Sequence, residues 1–446
     1  MKVAGLYPQP VNRGPHGEIE FLEPLGLEYV LAQVADQHDV KLFTLFDGTV
    51  KQTVEKIIQY SPDVLAVSAM TPQINLGLKM AGKIKRKLPN VQTIFGGYHP
   101  TAMPSITHKP EVDLVIMGEG EEKFTLAINN PAEFRKRMGV SYKNGGITYI
   151  REGRERILNL DSLRDPIRPD FLEQLRDHGH RYPVALKQTG MASVLFSKGC
   201  LFNCEFCSSP GMYKQKVTYR STERVVAELQ NLSRGRGINA FFFADLNFTA
   251  NQGKTRELCD AIIGSGMKIY WECLSNISTV KDPALLQLMY DAGCRKIGWG
   301  IESLDPSVID VMGKRGLERT HEVLQASEDA GIINTGFYMI GHPSETEASI
   351  LASSKGISSL PLHRLRVTVN TPLPGSRLYQ NTSPTNSDFD LYDTTHLVFN
   401  HPSLFQNDLD RLRKKLTSDF YNSGEYKARV KSVVARFPEY KEVFGK

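Results

Sequence analysis

The chain has 446 residues, 41% of them hydrophobic, with 54 basic against 49 acidic side chains and a formal charge of +5 at pH 7. That length provides about two or three domains with full apolar cores and excludes a small disulfide-stapled scaffold. The charges are mixed along the sequence, which gives no indication of a nucleic-acid partner. Six cysteines, three of them scattered singly, suit a reducing compartment.

The segment from Met1 to Tyr7 reads as a first strand, without the charged leader and cleavage site of a signal peptide. No apolar run approaches the ~18 residues needed to span a bilayer. A cytoplasmic protein with no membrane partner is expected.

To about Asn130, short apolar strands alternate with helical segments. Strands are predicted at Val3 to Leu6, Val40 to Phe43, Val64 to Ser68, Thr93 to Phe95 and Leu114 to Met117. Helices are predicted at Leu25 to Gln37, Thr49 to Tyr60 and Asn75 to Leu88. This is the pattern of a parallel, doubly wound α/β sheet, which binds ligands at the carboxyl ends of its strands. Three loops at those ends invite a cofactor: Ser68-Ala69-Met70-Thr71, Gly96-Gly97-Tyr98-His99-Pro100-Thr101 and Gly118-Glu119-Gly120-Glu121. Ser68, Gly96, Gly97 and Glu119 are the candidate contacts, since glycine lets backbone approach a ligand closely.

Residues 131–190 carry a hairpin-like Lys143-Asn144-Gly145-Gly146 turn and a charged, proline-punctuated stretch, and read as a connector. From about 191 to 380, strands at Ser193 to Phe196, Ala240 to Phe243, Lys268 to Glu272, Lys296 to Gly300, Gly336 to Ile340 and Arg366 to Val369 alternate with five helices. Six such repeats predict a partial (β/α)6 barrel, with chemistry on the loops after its strands. A short, mostly helical extension, 381–446, follows.

The first of those loops is Cys200-Leu201-Phe202-Asn203-Cys204-Glu205-Phe206-Cys207. Iron-sulfur clusters are usually held by four cysteines, so a triplet on a four-iron cluster leaves one iron open for a substrate or cofactor. A structural zinc site wants four ligands, and no second Cys or His pair answers the triplet. Further strand ends contribute Asp245, Asn247, Ser275, Asn276, Glu302, Ser303, His342 and Asn370. Asp245 and Glu302 interrupt strongly apolar segments, and a carboxylate buried there needs a partner. Cys259, Cys273 and Cys294 read as buried structural thiols.

The triplet, Asp245, Gly300-Ile301-Glu302-Ser303, Gly341-His342-Pro343-Ser344-Glu345-Thr346 and Thr371-Pro372-Leu373-Pro374-Gly375-Ser376 together resemble the radical S-adenosylmethionine superfamily. Residues 1–130 are similar to the Rossmann-like cobalamin-binding domain of one large subgroup, the class B methyltransferase-like proteins, through Pro24-Leu25-Gly26-Leu27-Glu28-Tyr29 and the Gly96 and Gly118 loops. The two resemblances cover roughly residues 1 to 380.

The resemblance implies that Cys200, Cys204 and Cys207 ligate a 4Fe-4S cluster whose open iron chelates S-adenosylmethionine. Asp245 would then approach the amino group and Glu302 the ribose hydroxyls. Phe206, Ile340 and Gly341 would lie along the adenine, and Ser275 or Asn276 would face the carboxylate. The implied activity is reductive cleavage of S-adenosylmethionine and, with cobalamin as second cofactor, methylation of a small-molecule natural-product or metabolic intermediate. The electron would come from a donor such as a flavodoxin or ferredoxin.

The sequence departs from the pattern in two respects. No Asp-x-His-x-x-Gly segment offers a cobalt-ligating histidine, and His99 reads as a loop residue. The tail is also shorter than in many methylating members. These departures motivate an alternative without cobalamin, in which a vestigial first domain accompanies 3-amino-3-carboxypropyl transfer, cyclisation or rearrangement.

Overall fold

Strand β1 (Lys2–Tyr7) is buried along almost its whole length, as a near-continuous apolar run requires of a central parallel strand. It lies between β2 (Asp39–Thr44) and β3 (Val64–Ser68), with Val3 opposite both Val40 and Val64. Strands β4 (Gln92–Gly96) and β5 (Leu114–Ile116) continue the parallel array. Helices α1 (Leu25–Ala32), α2 (Val50–Tyr60), α3 (Ile74–Lys87), α4 (Tyr98–Ala102) and α5 (Glu121–Asn129) connect the strands. Thr49 and Gln52 start α2 by a reciprocal capping box. Helix α1 stops short of the expected Gln37, because the chain closes with i→i−3 bonds such as Val34 N–H to the Leu31 carbonyl.

Beyond residue 130, β6 (Val140–Asn144) and β7 (Ile147–Arg151) form a hairpin that pairs antiparallel with β5. The first sheet therefore has seven strands, ordered β2-β1-β3-β4-β5-β6-β7, and extends into the stretch expected as connector. The computed structural model describes residues 1–10, 12–13, 19–20, 23–46, 48–172 and 190–444. Residues 173–189 of the expected connector lie outside the described residues.

The second sheet is parallel and six-stranded, ordered β8 (Met191–Val194), β11 (Ala240–Phe243), β12 (Tyr270–Ser275), β13 (Cys294–Glu302), β14 (Ile333–Ile340) and β15 (Arg364–Val369). Each strand pairs with the next, with bulges at Trp271/Glu272 and Gly300/Glu302, and among the described residues the two ends do not pair, which is the expected partial (β/α)6 barrel. The predicted strand Ser193 to Phe196 instead starts at Met191 and ends at Val194. The chain leaves the sheet after Val194, where the Asp245 carboxylate accepts the Phe196 N–H at 3.0 Å. It then forms β9 (Ser197–Gly199), antiparallel to β10 (Val217–Tyr219).

One apolar core runs from Val3, Leu31, Ile94 and Phe124 on one face of the first sheet to Phe243, Trp271 and Trp299 in the barrel. The other face of the first sheet has its own core around Ile57, Leu65, Met80 and Phe95. Continuity of apolar packing across the junction fixes the two sheets relative to one another. In the C-terminal extension, α13 (Gln406–Asn422) buries Leu409, Leu412, Leu416 and Phe420 along one face, against α11 (Glu347–Ser359) and β15. Among the described residues, no helix is long and apolar enough to cross a membrane.

Candidate functional site

Strand β9 delivers the chain directly to Cys200. Gly199 has φ +107°, and a Cβ there would stand 1.9 Å from the Lys216 carbonyl oxygen, so the tight entry to the loop requires glycine. Within the loop, Glu205 N–H donates to the Met312 carbonyl at 3.0 Å and Cys207 N–H to the Cys204 carbonyl at 3.1 Å. Ser209, opening α6 (Ser209–Tyr213), donates its N–H to Cys207 Sγ at 3.4 Å. All three loop thiols are half-buried, whereas Cys259, Cys273 and Cys294 are fully buried in the core.

Burial pushes the Cys204 thiol up to about 12 and raises Cys200, against the pull of the Lys314 ammonium. Iron binding must displace those protons, and the nearby cation favours the thiolates that result. Among the described residues, no three His, Cys, Asp or Glu side chains gather as ligands of one metal ion. Cluster thiolates bind separate irons, so three soft donors in one loop beside a cation suit a cluster.

Lys314 itself was not singled out in the sequence. Its side chain is only 4% exposed, donates to the Gly300 carbonyl at 2.6 Å and pairs with Glu302 at 3.1 Å. Glu302 stands at φ +66° on a bulge of β13, which turns its carboxylate toward that ammonium. Its expected ribose contact thus has a protein competitor. A lone lysine in a polar stretch carries no sequence signal of burial, so only the fold reveals it.

Asp245 is buried and accepts from Phe196 N–H and from the Ser197 hydroxyl. Burial raises it to about 6 despite those bonds. Its oxygens pin the segment leading into the cysteine loop, which is a different use from the expected ammonium contact. A carboxylate removed from water takes whatever donors are nearest, and these belong to its own chain.

Ser275 ends β12, and Asn276 caps the following turn by accepting from Ser278 N–H at 3.0 Å. Asn247 Oδ1 accepts from Asn276 N–H at 3.1 Å, while Asn247 Nδ2 and both amide atoms of Asn370 are buried without a partner among the described residues. Unsatisfied amides at strand ends are the groups a polar ligand would complete. Ile340 is buried at the end of β14, and Gly341 packs beneath Leu409 of α13. Phe206 is half-buried within the cysteine loop.

His342 joins this region through Glu205, with Nε2 donating to Glu205 Oε2 at 3.1 Å. The other Glu205 oxygen accepts from Asn381 in α12 (Arg377–Thr382) at 2.8 Å. Glu205, inside the triplet, therefore ties the cysteine loop to the end of the barrel. Its sequence position gave no hint of that role.

At the carboxyl edge of the first sheet lies a cleft of about 290 Å3. Ser68, Gly96, Gly97 and Glu119, all expected cofactor contacts, line it together with Tyr98 and Glu121. Lys198, Met212, Tyr213 and Ala244 of the second domain form its opposite wall. Gly97 has φ +99°, and a Cβ would come within 2.8 Å of the Ala69 carbonyl oxygen. Glu119 Oε2 accepts from Arg156 Nε at 2.8 Å and Ile157 N–H at 2.7 Å, so that oxygen is committed to the protein. Glu119 Oε1 and Glu121 Oε2 are buried without partners among the described residues.

Among the described residues, neither histidine nor cysteine lines the cleft. His99 is buried on the other side of its loop, edge-on to the Phe389 ring at 4.5 Å, and burial lowers it to about 4. Charged pairs clamp the cleft's two walls: Glu121 with Lys198, and Arg168 with Glu23 and Glu228.

Residues 20–128 match the family model of the B12 binding domain, and residues 194–355 that of the radical SAM superfamily. An uncharacterized methyltransferase of Pyrococcus horikoshii is 29% identical over 411 residues, spanning 89% of this chain and 87% of that protein. The bacteriochlorophyllide d C-12(1)-methyltransferase of Chlorobaculum tepidum is 25% identical, spanning 91% and 84%. Among solved structures, the radical S-adenosylmethionine methyltransferase TsrM from Kitasatospora setae, with cobalamin and a 4Fe-4S cluster bound, superposes with a TM-score of 0.67 at 15% identity, over 92% of this chain and 84% of that one. OxsB with aqua-cobalamin and S-adenosylmethionine bound also gives 0.67 at 15% identity, over 98% and 61%.

Proposed function

We propose that this chain, a radical SAM superfamily protein with an N-terminal B12-binding domain, is a cobalamin-dependent methyltransferase acting on a small molecule. The observation that carries the reading is the two-sided cleft: glycine loops of the first sheet form one wall, and the stretch flanking the cysteine loop forms the other. A vestigial first domain would have no reason to keep that shape. The relatives named as methyltransferases align over 89% and 91% of this chain.

In this reading Cys200, Cys204 and Cys207 hold the cluster. Lys314 and Glu302 present paired charges beside it, and the free amides of Asn247 and Asn370 complete a polar site for S-adenosylmethionine. Asp245 positions the loop from below. In the cleft, Ser68, Gly96 and Gly97 let a broad ligand lie close to backbone, while the free oxygens of Glu119 and Glu121 accept from its amide groups. When bound, the cluster supplies the electron that cleaves S-adenosylmethionine and cobalamin carries the methyl group. The protein holds both and excludes water. A low-potential flavodoxin or ferredoxin delivers the electron.

The test is anaerobic reconstitution with iron and sulfide in the presence of hydroxocobalamin, S-adenosylmethionine and excess dithionite as electron donor. The expected result is a corrin absorption band that survives gel filtration and release of S-adenosylhomocysteine from S-adenosylmethionine. Loss of the band, with methylthioadenosine as the sulfonium-derived product, would transfer the protein to the cobalamin-free alternative.

A further inference from the structure

One route of hydrogen bonds joins the wall of the cleft to the cysteine loop. Tyr98 lines the cleft, and its hydroxyl lies 3.3 Å from Ser209 Oγ. The same Ser209 donates its backbone N–H to Cys207 Sγ. Tyr98 follows Gly97, whose φ of +99° only glycine adopts freely, and Tyr213 meets its ring edge-on at 6.3 Å. Ser209 is buried, so water does not compete for either of its contacts.

The hydroxyl contact leaves room to tighten. A hydroxyl pair settles near 2.7 to 2.8 Å, well below the 3.3 Å between Tyr98 and Ser209. A ligand seated against the Tyr98 ring would press the hydroxyl toward Ser209, the residue whose N–H Cys207 Sγ accepts. Hydrogen bonds to a cluster's sulfur ligands are among the factors that set its reduction potential.

We propose that the Tyr98–Ser209 contact couples the two cofactor sites, so that filling the cleft changes the hydrogen bonding of Cys207 and with it the potential of the cluster. The proposal rests on the cobalamin reading above and gives Tyr98 and Ser209 positioning roles that no cofactor motif assigns. Coupling of this kind is reciprocal. Cobalamin must therefore bind the oxidised and reduced cluster forms with different affinities, by the same factor that it shifts the potential.

The experiment uses the full chain with its cluster reconstituted. The cluster potential is measured by redox titration with electron paramagnetic resonance detection, with and without saturating hydroxocobalamin. A coupling of about tenfold, within the usual range for linked sites, corresponds to a shift of about 59 mV for one electron. That shift is expected in the wild type. It should vanish in Tyr98→Phe, which keeps the ring against the cleft, and in Ser209→Ala, which keeps the backbone N–H. An equal shift in both variants overturns the proposal, as does a wild-type cluster indifferent to bound cobalamin. Failure of the wild type to bind cobalamin at all overturns the functional reading and this inference with it, and the absorption band distinguishes that case from the other two.

Discussion

The two halves of the site are built by different physical means. The first-domain cleft is made of backbone and apolar wall, with Gly96 and Gly97 giving close approach and the imidazole of His99 turned away from it. The barrel end is made of charged and thiol side chains, pinned by Lys314, Glu302, Asp245 and Glu205. The contrast suits their ligands. A large ligand studded with amides is held by shape and a few acceptors, while an anionic cluster and a zwitterionic sulfonium need fixed charges.

The sharpest way to break this comparison is Cys204→Ala. It removes one of the three cluster thiolates, so the iron-sulfur absorption and S-adenosylmethionine cleavage should fall to background, while cobalamin retention by the other half persists. Loss of both cofactors together would show that the halves are one unit.

Next in size are the two glycines that shape the loops. Gly199→Ala places a methyl against the Lys216 carbonyl and should impair cluster assembly severely. Gly97→Ala meets a milder collision with Ala69 and should cost about 2 kcal/mol of strain, read as weakened cobalamin binding with cluster content preserved. The order of these effects follows from the two contact distances, and urea unfolding of each variant checks it.

Lys314→Met leaves the Glu302 carboxylate buried without its partner. A loss of about 3 kcal/mol in unfolding free energy is expected, with a higher KM for S-adenosylmethionine and unchanged cobalamin binding. Lys314→Arg should recover part of the stability. The smallest net effect is in pH, because two opposed contributions largely cancel. Burial raises Asp245 from 3.8 to about 6, so the folded state holds the proton more tightly and stability falls as pH rises across that window. Burial lowers His99 from 6.5 to about 4, so the unfolded state binds the proton first and stability is lost as pH falls through that range. Each contributes of order 3 kcal/mol. Asp245→Asn and His99→Gln should flatten opposite slopes in urea midpoints measured between pH 4 and 7.

Much of the architecture was legible because alternating apolar strands and amphipathic helices are local patterns. Val64 to Ser68 and Ala240 to Phe243 fall where predicted, and the glycine loops and cysteine triplet sit at the carboxyl ends of their strands. Partners were less legible. Asp245 and Glu302 were marked as carboxylates in need of donors, yet Ser197 and Lys314, which meet them, lie 48 and 12 residues away along the chain. Helix α1 ended early in a run of local i→i−3 bonds, and the first barrel strand ended at Val194, where the distant Asp245 takes the Phe196 N–H.

The sequence by itself determined the fold class, the three soft donors and the glycines that permit close approach, since residue type and spacing fix those properties locally. Only the tertiary structure decided that Lys314 is buried beside the thiols, that His99 faces Phe389 instead of the cleft, and that Tyr98 of one domain reaches Ser209 of the other. Those facts depend on which distant surfaces meet when the two sheets pack, and packing is set by the apolar core as a whole.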